Sequence, residues 1–469
     1  MGEAVSVPPN ASRKQAVAGV TVEAVIFRQF VDDDLGCASY LVGDEGTHEA
    51  VVVDPAYAVE QYMAAAKQEH VRIVLTLETH THADHVSGHG RLALEHGIPV
   101  AIHPAAEAEY ERDPLEDGQE IVLGEVVLRV IHTPGHRPEH CCFAVIDRTR
   151  ADEPWLVLTG DSLFVGDAAR PDLAVEAVDG ARELYTSLRR LLALPDGVEV
   201  YPGHVAGSLC GASMSSKAST TIGFERRFNP MLGAADVEEF VSASALTRAP
   251  RPPNLEHIVE LNRGPSVGAA EPLVERDGLE PPILDVRPAD VFVAGHAPGA
   301  INVPLSRRGF ATRAAFVLLP DEPPLIHATT REQAEDAAGR LHAVGIFDLG
   351  GYVLRAPETE TLEPVAVDDL DRLLEDGAEV IDVRELYERD DGFIPGSRNI
   401  PYRLVREYGD ELREKGRPVV TICESGARAA VAASVLAASG VDARPVLHGG
   451  IPDWEALGGA TVGFRRCGS

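Results

Sequence analysis

Long apolar runs are missing from this 469-residue chain: no stretch approaches the length of a membrane span, although 45% of the residues are hydrophobic. Residues 1–18 are polar and lack the apolar core of a secretory signal, so the sequence points to a cytoplasmic protein without a membrane anchor. Positive charge is in deficit. Lys and Arg total 42 against 74 Asp and Glu, for a net charge of −32. That balance argues against nucleic acid or an anionic membrane as partner, and for solubility. Lysine is scarce beside arginine, and no run of like charge is long enough to act as an interaction tail. Cysteine is sparse too. Its six copies, Cys37, Cys141, Cys142, Cys210, Cys423 and Cys467, form no even framework. In a reducing compartment each is a free thiol to be judged by its neighbours. Cys37, Cys141 and Cys142 sit in strand-like contexts and read as core, and Cys467 reads as a terminal bystander.

The length calls for two to four domains, and the pattern divides accordingly. Residues 1–19 read as a disordered tail. Over 20–264 short strands alternate with helices: strands at 22–30, 38–42, 50–55, 71–77, 98–102, 120–130, 141–146, 156–158 and 198–201, helices at 59–68, 87–96 and 181–194. Polar groups gather at strand ends, as in a layered α/β domain with its site at the sheet edge. Residues 265–282, rich in Gly, Pro and Glu, read as a linker. The remainder repeats itself at an offset of 97 residues. Asp285-Val286-Arg287 returns as Asp382-Val383-Arg384, and the segment Gly295 to Pro304 returns as Gly392 to Pro401. That period fits two tandem copies of a small domain, 283–360 and 361–469.

The densest chemistry is Thr79-His80-Thr81-His82-Ala83-Asp84-His85, directly after an apolar strand. Three imidazoles and a carboxylate packed so closely at the end of a buried strand imply a positive ion among them. Three more polar residues follow tight Gly turns at strand ends: His136, Asp161 and His204. Any one of these histidines alone reads as a hydrogen-bonded loop residue. Together they resemble the metallo-β-lactamase superfamily, whose signature is His-x-His-x-Asp-His with later His, Asp and His. The resemblance implies an αββα sandwich and offers two metal sites, one among His80, His82, His136 and Asp161, the other among Asp84, His85, His204 and the shared Asp161. Ligand types alone do not choose between one metal and two. The run Gly166-Asp167-Ala168-Ala169-Arg170-Pro171-Asp172-Leu173 resembles the persulfide dioxygenase branch more than glyoxalase II. That branch holds one Fe(II) by two histidines and an aspartate, which map to His80, His136 and Asp161. His82, Asp84, His85 and His204 then surround the ligands. Cys210 resembles a cysteine of multidomain persulfide dioxygenases and is expected to touch the substrate, and Arg170 and Arg226 to bind a carboxylate of the thiol carrier.

In the second repeat, the strand 418–422 leads into Cys423-Glu424-Ser425-Gly426-Ala427-Arg428 and then a helix. A cysteine there lies in a cradle of backbone N–H groups beside a helix N-terminus, with Arg428 adding charge, so thiolate and bound sulfur anions are favoured. This resembles a rhodanese sulfurtransferase domain, with Cys423, Arg428 and Asp382 as its catalytic residues. The first repeat is a degenerate copy: Ala328 stands where Cys423 does, and the loop has no Gly. It is expected to pack and space the others. The whole order resembles the CstB-like persulfide dioxygenase–sulfurtransferase fusions. These imply oxidation of a low-molecular-weight thiol persulfide by O2 to sulfite at one Fe(II) per chain, thiosulfate formed or consumed at Cys423, and self-association. The alternative is a dizinc, glyoxalase II-like thioester hydrolase with an appended sulfurtransferase, Zn2+ replacing iron.

Overall fold

The computed structural model of the chain describes residues 25–171, 177–205, 217–244, 253–319 and 321–463. The expected tail, Cys210 and Cys467 lie outside these. Two six-stranded sheets build the first domain. One runs in chain order through β1 (Val25–Val31), β2 (Ala38–Asp44), β3 (Glu49–Val53), β4 (Arg72–Leu77), β5 (Val100–Ile102) and β6 (Asp113–Pro114). The other uses β7 (Glu120–Val122), β8 (Val126–His132), β9 (Cys141–Asp147) and β10 (Pro154–Gly160). After a hairpin of β11 (Leu163–Phe164) and β12 (Asp167–Ala168), it is completed by β13 (Glu199–Pro202) and β14 (Thr220–Thr221). Its order is β14-β13-β10-β9-β8-β7.

Alternation decides the layering. Along β3, Val51 and Val53 face the second sheet, where they pack with Tyr40, Leu128, Phe143 and Leu158. Ala50 and Val52 face outward under helix Glu60–Gln68, against Tyr62 and Ala66. The second sheet is covered in the same way by Leu184, Leu188 and Leu191 of helix Ala177–Leu191. The result is the αββα sandwich. One expectation changes. The single strand over 120–130 is a hairpin, since Gly124 takes φ +108° between β7 and β8. The linker 265–282, with no buried residue, is fastened to the first domain at its start: the Val267 carbonyl lies 2.5 Å from where a Cβ on Gly90 would be, and Tyr57 donates to the Gly268 carbonyl at 2.9 Å.

The two repeats are four-stranded parallel sheets of one topology. The first comprises β15 (Ile283–Asp285), β16 (Ile301–Asn302), β17 (Leu325–His327) and β18 (Gly351–Val353), in the order β16-β15-β17-β18. The second comprises β19 (Glu379–Asp382), β20 (Arg398–Asn399), β21 (Val419–Ile422) and β22 (Ala443–Pro445), in the order β20-β19-β21-β22. Register pairs His327 with Asp285 and Ile422 with Asp382, so Ala328 and Cys423 are the residues that leave equivalent strands. One apolar cluster runs through both copies.

Candidate metal centre and sulfur-transfer loop

β4 ends at Leu77 and releases Glu78 and the histidine motif into the edge of the sandwich. His80, His136 and Asp161 converge there, all 1% exposed. Asp161 Oδ2 stands 3.9 Å from His80 Nε2 and 3.7 Å from His136 Nε2 and has no hydrogen-bond partner. The ring orientations follow from the outer hydrogen bonds. Asp54 accepts the Thr79 hydroxyl proton at 2.8 Å, so Thr79 Oγ1 accepts from His80 Nδ1 at 2.9 Å. The Arg170 carbonyl accepts from His136 Nδ1 at 3.1 Å. Both Nε2 lone pairs therefore point at the unpaired carboxylate oxygen, the tautomer a metal needs. Burial holds His80 well below the usual imidazole range, with His82, His136 and His140 adding to it, and burial lowers His136 too. For Asp161, burial acts upward but His204 and His136 bring the carboxyl down to about 2. Two neutral imidazoles and an ionised carboxylate fit a divalent ion.

The other motif residues are engaged differently. His82 turns away: its Nε2 lies 3.1 Å from Glu78 and 3.4 Å from Asp54. Burial and His85 oppose its charge, yet these carboxylates push it up to about 9. His204 bonds through Nδ1 to Asp161 Oδ1 at 2.7 Å and through Nε2 to Asp84 Oδ2 at 2.6 Å. His85 Nδ1 meets Asp84 at 3.1 Å and Cys37 Sγ at 3.4 Å. Cys37 is core, as read from the sequence, and it also borders the cluster: its Sγ is 3.3 Å from His204 Nε2. His82 Nδ1 and His85 Nε2 lack partners. These are atoms a second ion would take, so metal content is the deciding measurement.

Several members carried no motif signal. His140 Nε2 accepts from the Asp161 backbone N–H at 3.0 Å and holds that carboxylate in place. Asp54 and Glu78 end or follow strands next to the motif, and only their position beside it could have flagged them. Asn262, from helix Leu255–Arg263, donates to the carbonyls of His82 (2.9 Å) and His85 (2.8 Å) and accepts from Ser87 N–H. Arg170 is 5% exposed and contributes its carbonyl to His136. Arg226, expected at the substrate, is engaged by Asp196 and the carbonyls of Leu192 and Leu194.

Comparison with known proteins agrees with this geometry. Residues 32–204 match the metallo-β-lactamase superfamily, and residues 366–457 match the rhodanese-like domain. Persulfide dioxygenase ETHE1, mitochondrial, from Bos taurus is 30% identical over 51% of this chain and 87% of its own length. The chain belongs to the family of the ETHE1 persulfide dioxygenases. The Homo sapiens member is 29% identical over 54% of this chain and 93% of its own. A crystal structure of a metallo-β-lactamase from Staphylococcus aureus subsp. aureus COL superposes with a TM-score of 0.65 at 27% identity, over 70% of this chain and 98% of that one. That share exceeds the first domain, so the likeness continues beyond the family's metal-binding fold.

In the rhodanese-like domain, Cys423 leaves β21 and is 1% exposed. Gly426 N–H donates to its Sγ at 3.1 Å. Gly426 takes φ +91°, and a Cβ there would meet the Leu447 carbonyl at 2.0 Å, so only glycine forms this cradle. Arg428 forks onto Glu388 at 2.6 and 2.7 Å. Asp382, expected among the catalytic residues, is fully buried in an ion pair. Its carboxylate is held by Arg384 at 2.9 Å, and Arg384 donates on to the Gly392 carbonyl. Asp285, Arg287 and Gly295 repeat this arrangement in the copy without a cysteine. There the loop is shorter and Thr330 caps the following helix, its hydroxyl accepting from Gln333 N–H.

Proposed function

We propose that the chain is a mononuclear iron persulfide dioxygenase, over residues 20–264, that carries its own sulfurtransferase in the domain after residue 361. The observation that supports the first part is the pair of Nε2 lone pairs aimed at the unpartnered Asp161 Oδ2, while His82 and His204 are engaged by carboxylates. Two histidines and one carboxylate leave positions open for a persulfide and O2 together. Bound there, Fe(II) supplies the O2 chemistry that turns the outer sulfur of a low-molecular-weight thiol persulfide into sulfite. The chain keeps His80 and His136 neutral, keeps Asp161 ionised and excludes water by burying all three. Cys210, outside the described residues, and Arg170 are the substrate contacts we assign.

Cys423 carries the second reaction. As thiolate it attacks the outer sulfur of thiosulfate; the S–S bond of thiosulfate breaks, sulfite leaves with the electron pair, and Cys423 holds a persulfide. The reverse, attack by sulfite, makes thiosulfate. No outside oxidant enters either direction.

Metal analysis joined to an oxygen-electrode assay tests the reading. The expected outcome is about one iron per chain and O2 uptake with a low-molecular-weight persulfide. Two zincs with thioester hydrolysis and no O2 uptake would return the chain to the hydrolase alternative.

A further inference from the structure

Three stretches of backbone bring a thiol, a carboxylate and two imidazoles together beside Asp161. Cys37 and His204 stand opposite each other in an antiparallel bridge, closed by Ala38 N–H to the Gly203 carbonyl at 2.7 Å and Val205 N–H to the Gly36 carbonyl at 2.9 Å. The histidine loop, held by Asn262 at the His85 carbonyl, supplies Asp84 and His85. Cys37 Sγ lies 3.4 Å from His85 Nδ1, 3.3 Å from His204 Nε2 and 3.6 Å from Asp84 Oδ2. Asp84 in turn meets His85 Nδ1 at 3.1 Å and His204 Nε2 at 2.6 Å. Cys37, His85 and His204 are 6%, 3% and 2% exposed.

The spacings fit a tetrahedral shell. Donor atoms about 3.3 Å apart at the corners of a tetrahedron share a centre about 2 Å from each, which is the bond length of zinc to imidazole and carboxylate, with thiolate slightly longer. Hydrogen bonding is a poor account of the sulfur. A thiol has one weak proton to give and accepts weakly, yet three polar atoms crowd this one. The donor set selects the ion. A thiolate with imidazoles and a carboxylate takes zinc over magnesium or calcium, and the two anions balance its charge. Four protein ligands leave no open position, as in a structural zinc site. The second site that the superfamily resemblance offers, among Asp84, His85, His204 and a shared Asp161, contains no thiol. Here His85 turns Nδ1 to Cys37 and leaves Nε2 unpartnered.

We propose that Cys37, Asp84, His85 and His204 bind one zinc ion, with the Cys37 thiolate as the ligand that defines the site. The ion displaces the protons held on the sulfur and on the two donor nitrogens, which leave to solvent. Zinc on Nε2 keeps the remaining His204 proton on Nδ1, where it donates to Asp161 Oδ1 at 2.7 Å. The other oxygen of Asp161 then stays turned to His80 and His136. The zinc orients a ligand of the first centre and takes no part in its chemistry. The proposal goes beyond the dioxygenase reading and does not depend on which ion the first centre holds.

Two measurements on the full chain test it, both in a background where Cys210→Ser, Cys423→Ser and Cys467→Ser leave only Cys37 and the two fully buried thiols of β9. In the first, metal-stripped protein is titrated with Co2+, which gives a near-ultraviolet charge-transfer band when a thiolate binds it and none with nitrogen and oxygen ligands alone. The band is expected to develop, Cys37→Ser abolishes it, and zinc retention in that variant falls at least about tenfold. The second measurement needs no change at Cys37: absorption at the zinc edge of the zinc-loaded protein shows sulfur at about 2.3 Å. It decides the matter if Cys37→Ser does not fold. Cobalt that binds without the band, or zinc with only nitrogen and oxygen neighbours, overturns the proposal. Iron content and O2 uptake of the parent report separately on the first centre.

Discussion

His82 shows how little the identity of a residue says about its work. It has the same motif position strength as His80, yet its Nε2 is committed to Glu78 and Asp54. With a folded pKa of about 9, above the ordinary 6.5, the stability it contributes is complete below pH 6.5 and is lost as pH rises through about 9. Melting curves of the metal-stripped protein should therefore show an alkaline decline that His82→Gln flattens. An identical decline in both proteins would remove His82 as its source. Cys423 is buried as well, but it is held by a backbone amide, the Gly426 N–H that donates to its Sγ, rather than by a charged pair. Cys423→Ser should abolish thiosulfate turnover, a loss of at least ~1000-fold, while O2 uptake with persulfide stays within about twofold, because the metal ligands lie in another domain. Normal sulfurtransferase activity in that variant would refute the assignment.

At the scale of elements, the histidine loop is held by structure that comes from far along the chain. Asn262 satisfies the carbonyls of His82 and His85 and the N–H of Ser87, and is itself 3% exposed. Val86 N–H donates to the Ala343 carbonyl of the degenerate repeat at 2.8 Å. Asn262→Ala leaves three buried backbone groups without partners and should cost about 2 kcal/mol or more. Denaturant unfolding reads the stability, and metal titration should show weaker binding, because the loop that carries His80 is no longer fixed. Full stability and metal affinity together would mean that Ala343 alone fixes the loop. The two strand-to-helix loops of the repeats make a matched contrast. Gly426 turns an amide onto Sγ in one, and Thr330 caps the helix in the other.

Across the whole molecule, the degenerate repeat touches both of its neighbours. It anchors the histidine loop through Ala343 and meets the second repeat through helix Phe310–Val317, where Phe316 packs on Tyr402. Asp34 ties that helix to the first domain, its two carboxylate oxygens accepting from Phe310 and Ala311 N–H, and burial raises its carboxyl against them. Asp34→Ala should destabilise the helix start by about 1 kcal/mol. Scanning calorimetry is expected to show the first domain and the repeats melting further apart than in the parent. A single unshifted transition would show that this cap does not couple them. Among the described residues, no helix is long and apolar enough to cross a membrane.

The layered fold and most of the site were readable in the chain itself. Alternating apolar residues such as Val51 to Val53 dictate which face is buried, and His80, His136, Asp161 and Cys423 stand after strands whose ends a parallel or mixed sheet must align. Local spacing also set the repeat and the missing thiol at Ala328. Residues that act across long separations were not readable. His140, Asp54 and Asn262 carry no pattern, because their partners are chosen by which strand or helix lies alongside. For the same reason the ion pair that Asp382 makes in common with Asp285, and the contact of the core residue Cys37 with His85 and His204, emerge only from packing. The contact of Phe316 with Tyr402 across the two repeats belongs to this class. It exists only because two copies of one small fold pack face to face, and no sequence pattern within either copy records where the other will sit.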